Sequence, residues 1–269
     1  MRVTVLGCGA SAGVPMIGGA DGRGEWGVAD PAEPRNRRTR ASIVVEGADG
    51  QRLLVDTGPE MREQLLACGI PRIDAIFYTH AHADHITGLD DVRILNRIAG
   101  RPIPTFADAR TLTELARRFD YVFRPWEPPH FFRPVLETKT VAPGMKVDAA
   151  GLKVTVFEQD HGFIPTLGLR IGAFAYSTDV VALDEAAFAA LSGVDTWLVG
   201  CFQHHLPHRT HAHVDLVLEW RARLGVRRTV LTHMGTDMDW ARLTESLPPG
   251  VEPAQDGMTL DIPDLGKDA

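Results

Sequence analysis

His80-Ala81-His82-Ala83-Asp84-His85 places four side chains able to bind a metal within six residues, separated only by alanines. The apolar run 74–79 reads as a short β-strand leading straight into this segment, so the cluster sits at a strand's C-terminal end. On such a loop His80 and His82 can face one ion while Asp84 and His85 turn towards a second, because imidazole nitrogen and carboxylate oxygen both suit zinc-like cations. Core packing does not call for so many polar donors, and a merely solvated polar loop is the weaker reading.

Two ions need more ligands than one loop supplies, and further donors are expected where other strands end. Three stand out: His161 after the run 153–157, Asp179 after 174–177 and His233 after 229–232. A single histidine at a strand end is more often a hydrogen-bonded structural residue than a ligand. The order His, Asp, His behind the 80–85 cluster turns that balance toward ligation.

The surrounding pattern alternates strands with helices. A strand over 2–6 stops at Gly7-Cys8-Gly9-Ala10-Ser11-Ala12-Gly13. No helix-forming run follows, since Val14-Pro15 and four further glycines at 18, 19, 22 and 24 prolong the loop, which argues against a dinucleotide fingerprint. Residues 13–40 form a long Gly/Pro/Arg-rich connection of the kind that usually has a function. Strands follow over 42–46 and 52–56 around a hairpin signature at Ala48-Asp49-Gly50, then a helix over 60–67. Helices are expected near 89–98, 109–119, 184–191, 214–224 and 239–246, and strands near 152–158, 167–178, 195–200 and 227–232. That is more strand than one small sheet uses. An α/β fold in which two sheets pack face to face, with helices outside, buries the pattern, and no linker or repeat divides residues 1–269 into more than one domain.

Composition narrows the partners. A net charge of −7 provides no general basic field for a nucleic-acid polymer, so a small substrate is favoured. Cys8, Cys68 and Cys201 are too scattered for a disulfide framework, which fits a reducing, cytoplasmic location. Neither a signal peptide nor a membrane span is expected from the apolar runs.

His80-x-His82-x-Asp84-His85 followed by His161, Asp179 and His233 resembles the full metal signature of the metallo-β-lactamase superfamily, over nearly the whole chain. The resemblance implies an αββα sandwich of two mixed β-sheets flanked by helices. It puts His80, His82 and His161 on one metal, Asp84, His85 and His233 on the other, and Asp179 between them. Leu6 to Pro15 and Leu231-Thr232-His233-Met234 resemble the cyclic-phosphodiesterase branch. That branch acts on phosphoribosyl 1,2-cyclic phosphate and is related to the tRNA 3′-processing nucleases. Its members often carry cysteines soon after the Gly-Val-Pro turn for an additional structural zinc. Residues 16–40 hold none here, so the loop must be fastened by other contacts.

The expected function is therefore hydrolysis of a small phosphodiester, of cyclic ribose or nucleotide type, by two divalent ions, Zn²⁺ or Mn²⁺. The ions would share a water acidified to hydroxide and hold the phosphate oxygens as charge moves. The leaving oxygen still needs a proton. Residues 203–213 contain five of the eleven histidines, and His211, in His208-Arg209-Thr210-His211, is the first choice as acid, with His208 second and Asp84 counted among the catalytic residues. Asp56 is placed to orient a ligand histidine or, equally, to cap a helix or serve in a turn. Arg37, Arg38 and Arg40 either meet a phosphate at the rim or form a solvated cluster. The aromatic stretch 121–132 is a lid, a homodimer contact or, by default, core packing. Two alternatives stand beside this reading. A tRNA 3′-endonuclease would normally add a Gly/Lys-rich arm, and a non-catalytic accessory protein of quinone-cofactor biosynthesis tends to lose ligands that this chain keeps.

Overall fold

Side-chain alternation along the strands decides the architecture of the computed structural model, which describes residues 1–263. The last six residues of the domain expected over 1–269 lie outside it. The first sheet contains β1 (Arg2–Gly7), β2 (Ser42–Glu46), β3 (Arg52–Val55), β4 (Ala75–Phe77), β5 (Ile103–Ala107) and β6 (Leu136–Thr140), with β14 (Thr259–Asp261) on the outer side of β1. The second contains β7 (Lys146–Ala149), β8 (Leu152–Asp160), β9 (Pro165–Ile171), β10 (Phe174–Ser177), β11 (Thr196–Gly200), β12 (Arg228–Thr232) and β13 (Val251–Pro253), in sequence order from one edge to the other. Both sheets are mixed, with β3 to β6 parallel in one and β10 to β13 parallel in the other.

Odd and even positions of a strand face opposite layers. Ile43, Val45, Leu53, Val55, Ala75 and Phe77 join Val154, Val156, Leu169, Phe174 and Tyr176 in one core between the sheets. Their neighbours Val44, Leu54, Ile76 and Tyr78 turn the other way and meet the helices α1 (Met61–Ala67), α3 (Val92–Ala99) and α4 (Ala109–Arg118) through Met61, Leu65, Leu95 and Leu115. The short α2 (Ala83–Ile86) lies within the donor segment itself. On the second sheet's far side, α5 (Glu185–Leu191), α6 (Val214–Leu224) and α7 (Trp240–Ser246) bury Phe188, Leu191, Val217, Trp220 and Leu243. The expected sandwich of two mixed sheets flanked by helices is what is observed.

Some boundaries differ from the sequence expectation. The run 167–178 is two strands, because Gly172 takes a left-handed turn at φ 55° that separates β9 from β10. The helix expected over 89–98 begins with a 3₁₀ turn at Leu89–Asp91. Strands β5, β6, β7, β13 and β14 were not foreseen. β6 shows why: after Leu136 its residues Glu137 to Thr140 are all exposed, so no apolar alternation marks an edge strand of this kind. Among the described residues no helix is long and apolar enough to cross a membrane.

Candidate metal centre

The C-terminal ends of four strands deliver the donors to one rim. β4 ends at Phe77 and the chain turns through Thr79 into the donor segment; β8, β10 and β12 end just before His161, Asp179 and His233. The donor segment is clamped by backbone: Thr57 N–H donates to the His85 carbonyl at 2.8 Å and Gly88 N–H to the Thr57 carbonyl at 2.9 Å. Gly88 is required there, since a Cβ would fall 2.0 Å from the Gly58 carbonyl oxygen.

The seven expected ligands come together in two groups that share one residue. His80, His82, His161 and Asp179 form one, and Asp84, His85, Asp179 and His233 form the other, with the donor atoms of each group within 4.8 Å of one another. Asp179 turns a different oxygen to each. Its Oδ2 lies 3.7 Å from His80 Nε2 and 3.5 Å from His161 Nε2, while Oδ1 lies 3.2 Å from His85 Nε2 and 3.1 Å from His233 Nε2. Asp84 Oδ2 completes the second group, 3.2 Å from His85 Nε2 and 3.6 Å from His233 Nε2.

Hydrogen bonds on the far side of the rings aim these nitrogens. His85 Nδ1 donates to Asp56 Oδ2 at 2.7 Å, and His161 Nδ1 donates to the Thr210 carbonyl at 2.7 Å. The Thr79 hydroxyl gives its proton to Asp56 Oδ2 at 2.8 Å and so accepts from His80 Nδ1 at 3.0 Å. Each of these three rings thereby presents an Nε2 lone pair to the centre, the tautomer following from its partners. Asp56 is thus the orienting carboxylate, not a helix cap. Its own place is fixed by Thr79 N–H at 2.8 Å.

The centre is costly to build. Asp56, Asp179 and His233 have φ of 64°, 36° and 54°, a left-handed backbone that L-residues avoid, and only Ala150 joins them among the described non-glycine residues. The polar atoms are costly too. His85 Nε2 and both ring nitrogens of His233 are buried without a hydrogen-bond partner. A lone pair on His85 Nε2 facing two carboxylate oxygens is repelled unless a positive charge lies between them, so this donor set fits divalent cations. Electrostatics agrees for all but one ring: Asp84, Asp179 and Asp56 outweigh burial and hold the His85 pKa well above the imidazole range, so these carboxylates call for a positive charge at Nε2 that a proton or a cation can supply. Burial, with His85 adding to it, pushes the His80 pKa well down, and burial with His161 lowers His82. Asp179 lies below the ordinary carboxylate range because His233, His85 and His80 outweigh its burial. Neutral imidazoles and ionised carboxylates are the forms a metal takes.

Behind the centre, the His211 ring sits 4.8 Å from that of His161 and stacks 4.9 Å from that of His233. His211 lines a cavity of about 230 Å³ together with Ser11, His82, Asp84, His161 and Asp179. His208 is exposed, its ring 5.3 Å from His211, and does not line that cavity. Burial, then the proximity of His233, brings the His211 pKa down to about 3, so its ring is neutral at pH 7. Ser11 and the Thr210 carbonyl were not foreseen. Ser11 lay in a glycine-rich loop that could be noted but not placed, and a carbonyl leaves no trace in residue identity.

The expectation that Arg38 meets phosphate or solvent is wrong. Its side chain is buried, 2% exposed, and its guanidinium donates to the carbonyls of Met238 at 2.6 Å and Gly235 at 3.3 Å and to Asn36 Oδ1 at 3.2 Å. Arg40 is tied to Glu60 and the Ser11 carbonyl, and Arg37 lies over Trp26. The aromatic stretch is no lid either. Trp126 stacks on Phe131 at 4.6 Å, and with Phe132 they line a hollow beside Arg97 and Gly100 at the end of α3, not the cavity at the donors.

A family model for the β-lactamase superfamily domain matches residues 51–234, which include every donor named above. The chain belongs to the β-lactamase superfamily. Within it, a solved structure described as a new diphosphatase from the PhnP family is 35% identical, with a TM-score of 0.86, covering 97% of this chain and 98% of its own. An octanoyltransferase of Porphyromonas gingivalis is 30% identical over 268 residues, 99% of this chain and 52% of its own length. The chain therefore spans about half of that relative. Ribonuclease Z of Mycobacterium sp. strain KMS is 29% identical over 262 residues, 83% of this chain and 90% of its own length.

Proposed function

We propose that the chain is a hydrolase dependent on two divalent ions, Zn²⁺ or Mn²⁺, that cleaves a small phosphodiester of cyclic ribose or nucleotide type. The observation that carries this is the split carboxylate of Asp179, one oxygen toward each group of histidines. His80, His82 and His161 would hold one ion, Asp84, His85 and His233 the other, with Asp179 common to both. Bound there, the pair supplies Lewis acidity toward phosphoryl oxygens and a nucleophilic water at neutral pH.

The chain's own groups do the rest. Asp56 and Thr79 keep His85 and His80 in the one tautomer that can ligate. Asp179 and Asp84, both ionised, offset the charge of the site and leave it able to accept an anionic ester. His211 is neutral in the free site; a phosphate anion beside it raises its pKa, so that its ring can take up a proton from solvent and, as the imidazolium, pass it to the oxygen that leaves. A cavity of about 230 Å³ admits a small ester, and the net charge of −7 argues against a long nucleic acid. One domain, acting in the reducing cytosol, is the setting this reading implies.

A second reading, hydrolysis of a P–O–P linkage, is favoured by the 35% identity to the diphosphatase. The same site serves both, since each reaction moves charge onto phosphoryl oxygens. The test is an assay of purified protein with bis(p-nitrophenyl) phosphate in added Mn²⁺ or Zn²⁺, then with adenosine 2′,3′-cyclic phosphate against a dinucleoside diphosphate. Turnover that a chelator abolishes, with preference for the cyclic ester, is expected. Preference for the diphosphate would move the assignment to the second reading, and no turnover of any of the three in metal-loaded protein would overturn both.

A further inference from the structure

Beside the catalytic cavity lies a second hollow of about 390 Å³, lined by His80, His82 and Pro165 and by Arg110, Glu114 and Arg118 of α4. The two spaces share His82 and Phe163 as walls. Phe163 is 82% exposed although it lies two residues from a buried histidine. It is not there by looseness of the chain. His161 N–H donates to the Ile164 carbonyl at 3.1 Å, Phe163 N–H to the His161 carbonyl at 3.0 Å, and Gly162 N–H to Asp160 Oδ1 at 2.6 Å. A Cβ on Gly162 would fall 2.5 Å from the Arg209 carbonyl oxygen, so the turn is also pressed against the loop that carries His211. A ring held out in water on so constrained a turn keeps a planar apolar face available at the mouth of the site.

Charge on the other wall is sorted. Glu114 pairs with Arg118 at 3.2 Å and Arg117 at 3.8 Å, and Arg118 also donates to the Ala81 carbonyl at 2.9 Å. That leaves the exposed Arg110 with no carboxylate partner among the described residues, facing the same hollow as Phe163. An aromatic face and an uncompensated guanidinium, in a hollow whose wall includes the donors His80 and His82, match the two ends of a phosphorylated nucleoside.

We propose that this hollow is the subsite for the part of the substrate that does not react, a nucleoside whose base stacks on Phe163 and whose second phosphate is met by Arg110. The assignment rests on the phosphodiesterase reading of the adjoining site. It makes Phe163 and Arg110 specificity residues, whereas the donors and His211 set the chemistry. Base stacking on an aromatic side chain and a guanidinium–phosphate contact are each of a size to change binding by about tenfold or more.

Three esters with one leaving group, nitrophenolate, separate these roles: methyl p-nitrophenyl phosphate, thymidine 5′-(p-nitrophenyl phosphate) and its 3′-phosphorylated form. The expected order of kcat/KM rises along that series. Phe163→Ala should erase about tenfold or more of the step from methyl to thymidine, chiefly in KM, and Arg110→Ala the step from thymidine to its 3′-phosphate. Binding of thymidine 3′,5′-bisphosphate, followed by calorimetry, should weaken about tenfold in each variant and does not depend on turnover. Equal kcat/KM on all three esters, or unchanged bisphosphate affinity in both variants, would overturn the subsite while leaving the hydrolase standing. Loss of turnover on every ester with bisphosphate binding still dependent on both residues would instead keep the subsite and remove the proposed reaction.

Discussion

Two stretches of this chain are rich in polar side chains and use them in opposite ways. In the donor segment 80–85 and its partners, nitrogens and oxygens converge on one another and several stay unpaired: His85 Nε2 and both His233 nitrogens have no hydrogen-bond partner. In the connection 13–40 the polar groups are mostly consumed internally, Arg38 Nε being the exception. Arg38 bonds the Met238 and Gly235 carbonyls, Asn36 Nδ2 donates to Asp239 Oδ2 at 2.7 Å, and Asp256 accepts from Thr39 N–H at 2.8 Å and from Cys8 N–H at 2.9 Å. Unpaired ring nitrogens gathered around shared carboxylates mark where a cation fits; the mostly paired groups of the loop mark where the chain holds itself. The long loop therefore replaces thiolates with a guanidinium and fastens itself to the segment just after His233, whose Met234 N–H also donates to the Cys8 carbonyl at 2.9 Å.

The contrast is broken most severely at Asp179. Asp179→Ala removes the one carboxylate that serves both donor groups and should cost on the order of 10³-fold or more in turnover, several kcal/mol of lost charge stabilisation. Steady-state rates on an alkyl phosphodiester check this, and near-normal rates would show that the bridge lies elsewhere.

A smaller effect is expected at His211, which touches the donor rings without being one of them. His211→Ala should keep the metal complement and lower turnover of an alkyl or ribosyl diester by roughly 10²- to 10⁴-fold. A nitrophenyl ester, whose leaving group needs little protonation, should lose far less. Equal losses on both would make His211 a phosphate-positioning residue, and unchanged rates on both would pass the role to His208.

The self-paired region should respond in stability instead. Arg38→Met leaves the Met238 and Gly235 carbonyls without their donor, a penalty of about 1–3 kcal/mol for each buried acceptor, relieved in part wherever water enters. A drop in Tm of several degrees is expected, with turnover of the remaining folded protein reduced much less than in His211→Ala. An unchanged Tm would mean that the loop is fastened chiefly through Asp256 and Asn36.

The donor set was legible because its chemistry depends on residue type and on strand ends, both of which a sequence displays. The 80–85 cluster, His161, Asp179 and His233 all came out of that reading, whereas for Asp56 it left orienting a histidine and capping a helix or turn as equal alternatives. What was not legible depends on direction. Arg38 sits between Arg37 and Arg40 in a basic run, yet alone of the three it turns inward, and nothing in the run distinguishes it. Phe163 has no feature in the sequence that marks it; only its exposure on a tight turn sets it apart. The edge strands β6 and β7 escaped because they carry few inward apolar side chains.

Everything central to this account turns on whether the two donor groups hold two ions. Elemental analysis of the purified chain beside Asp179→Ala measures that directly. Two transition-metal ions per chain in the native protein, at least one fewer in the variant, and no additional tightly held ion from the cysteine-free 16–40 loop is the predicted result. A single ion per chain in both proteins, or two in both, would contradict it.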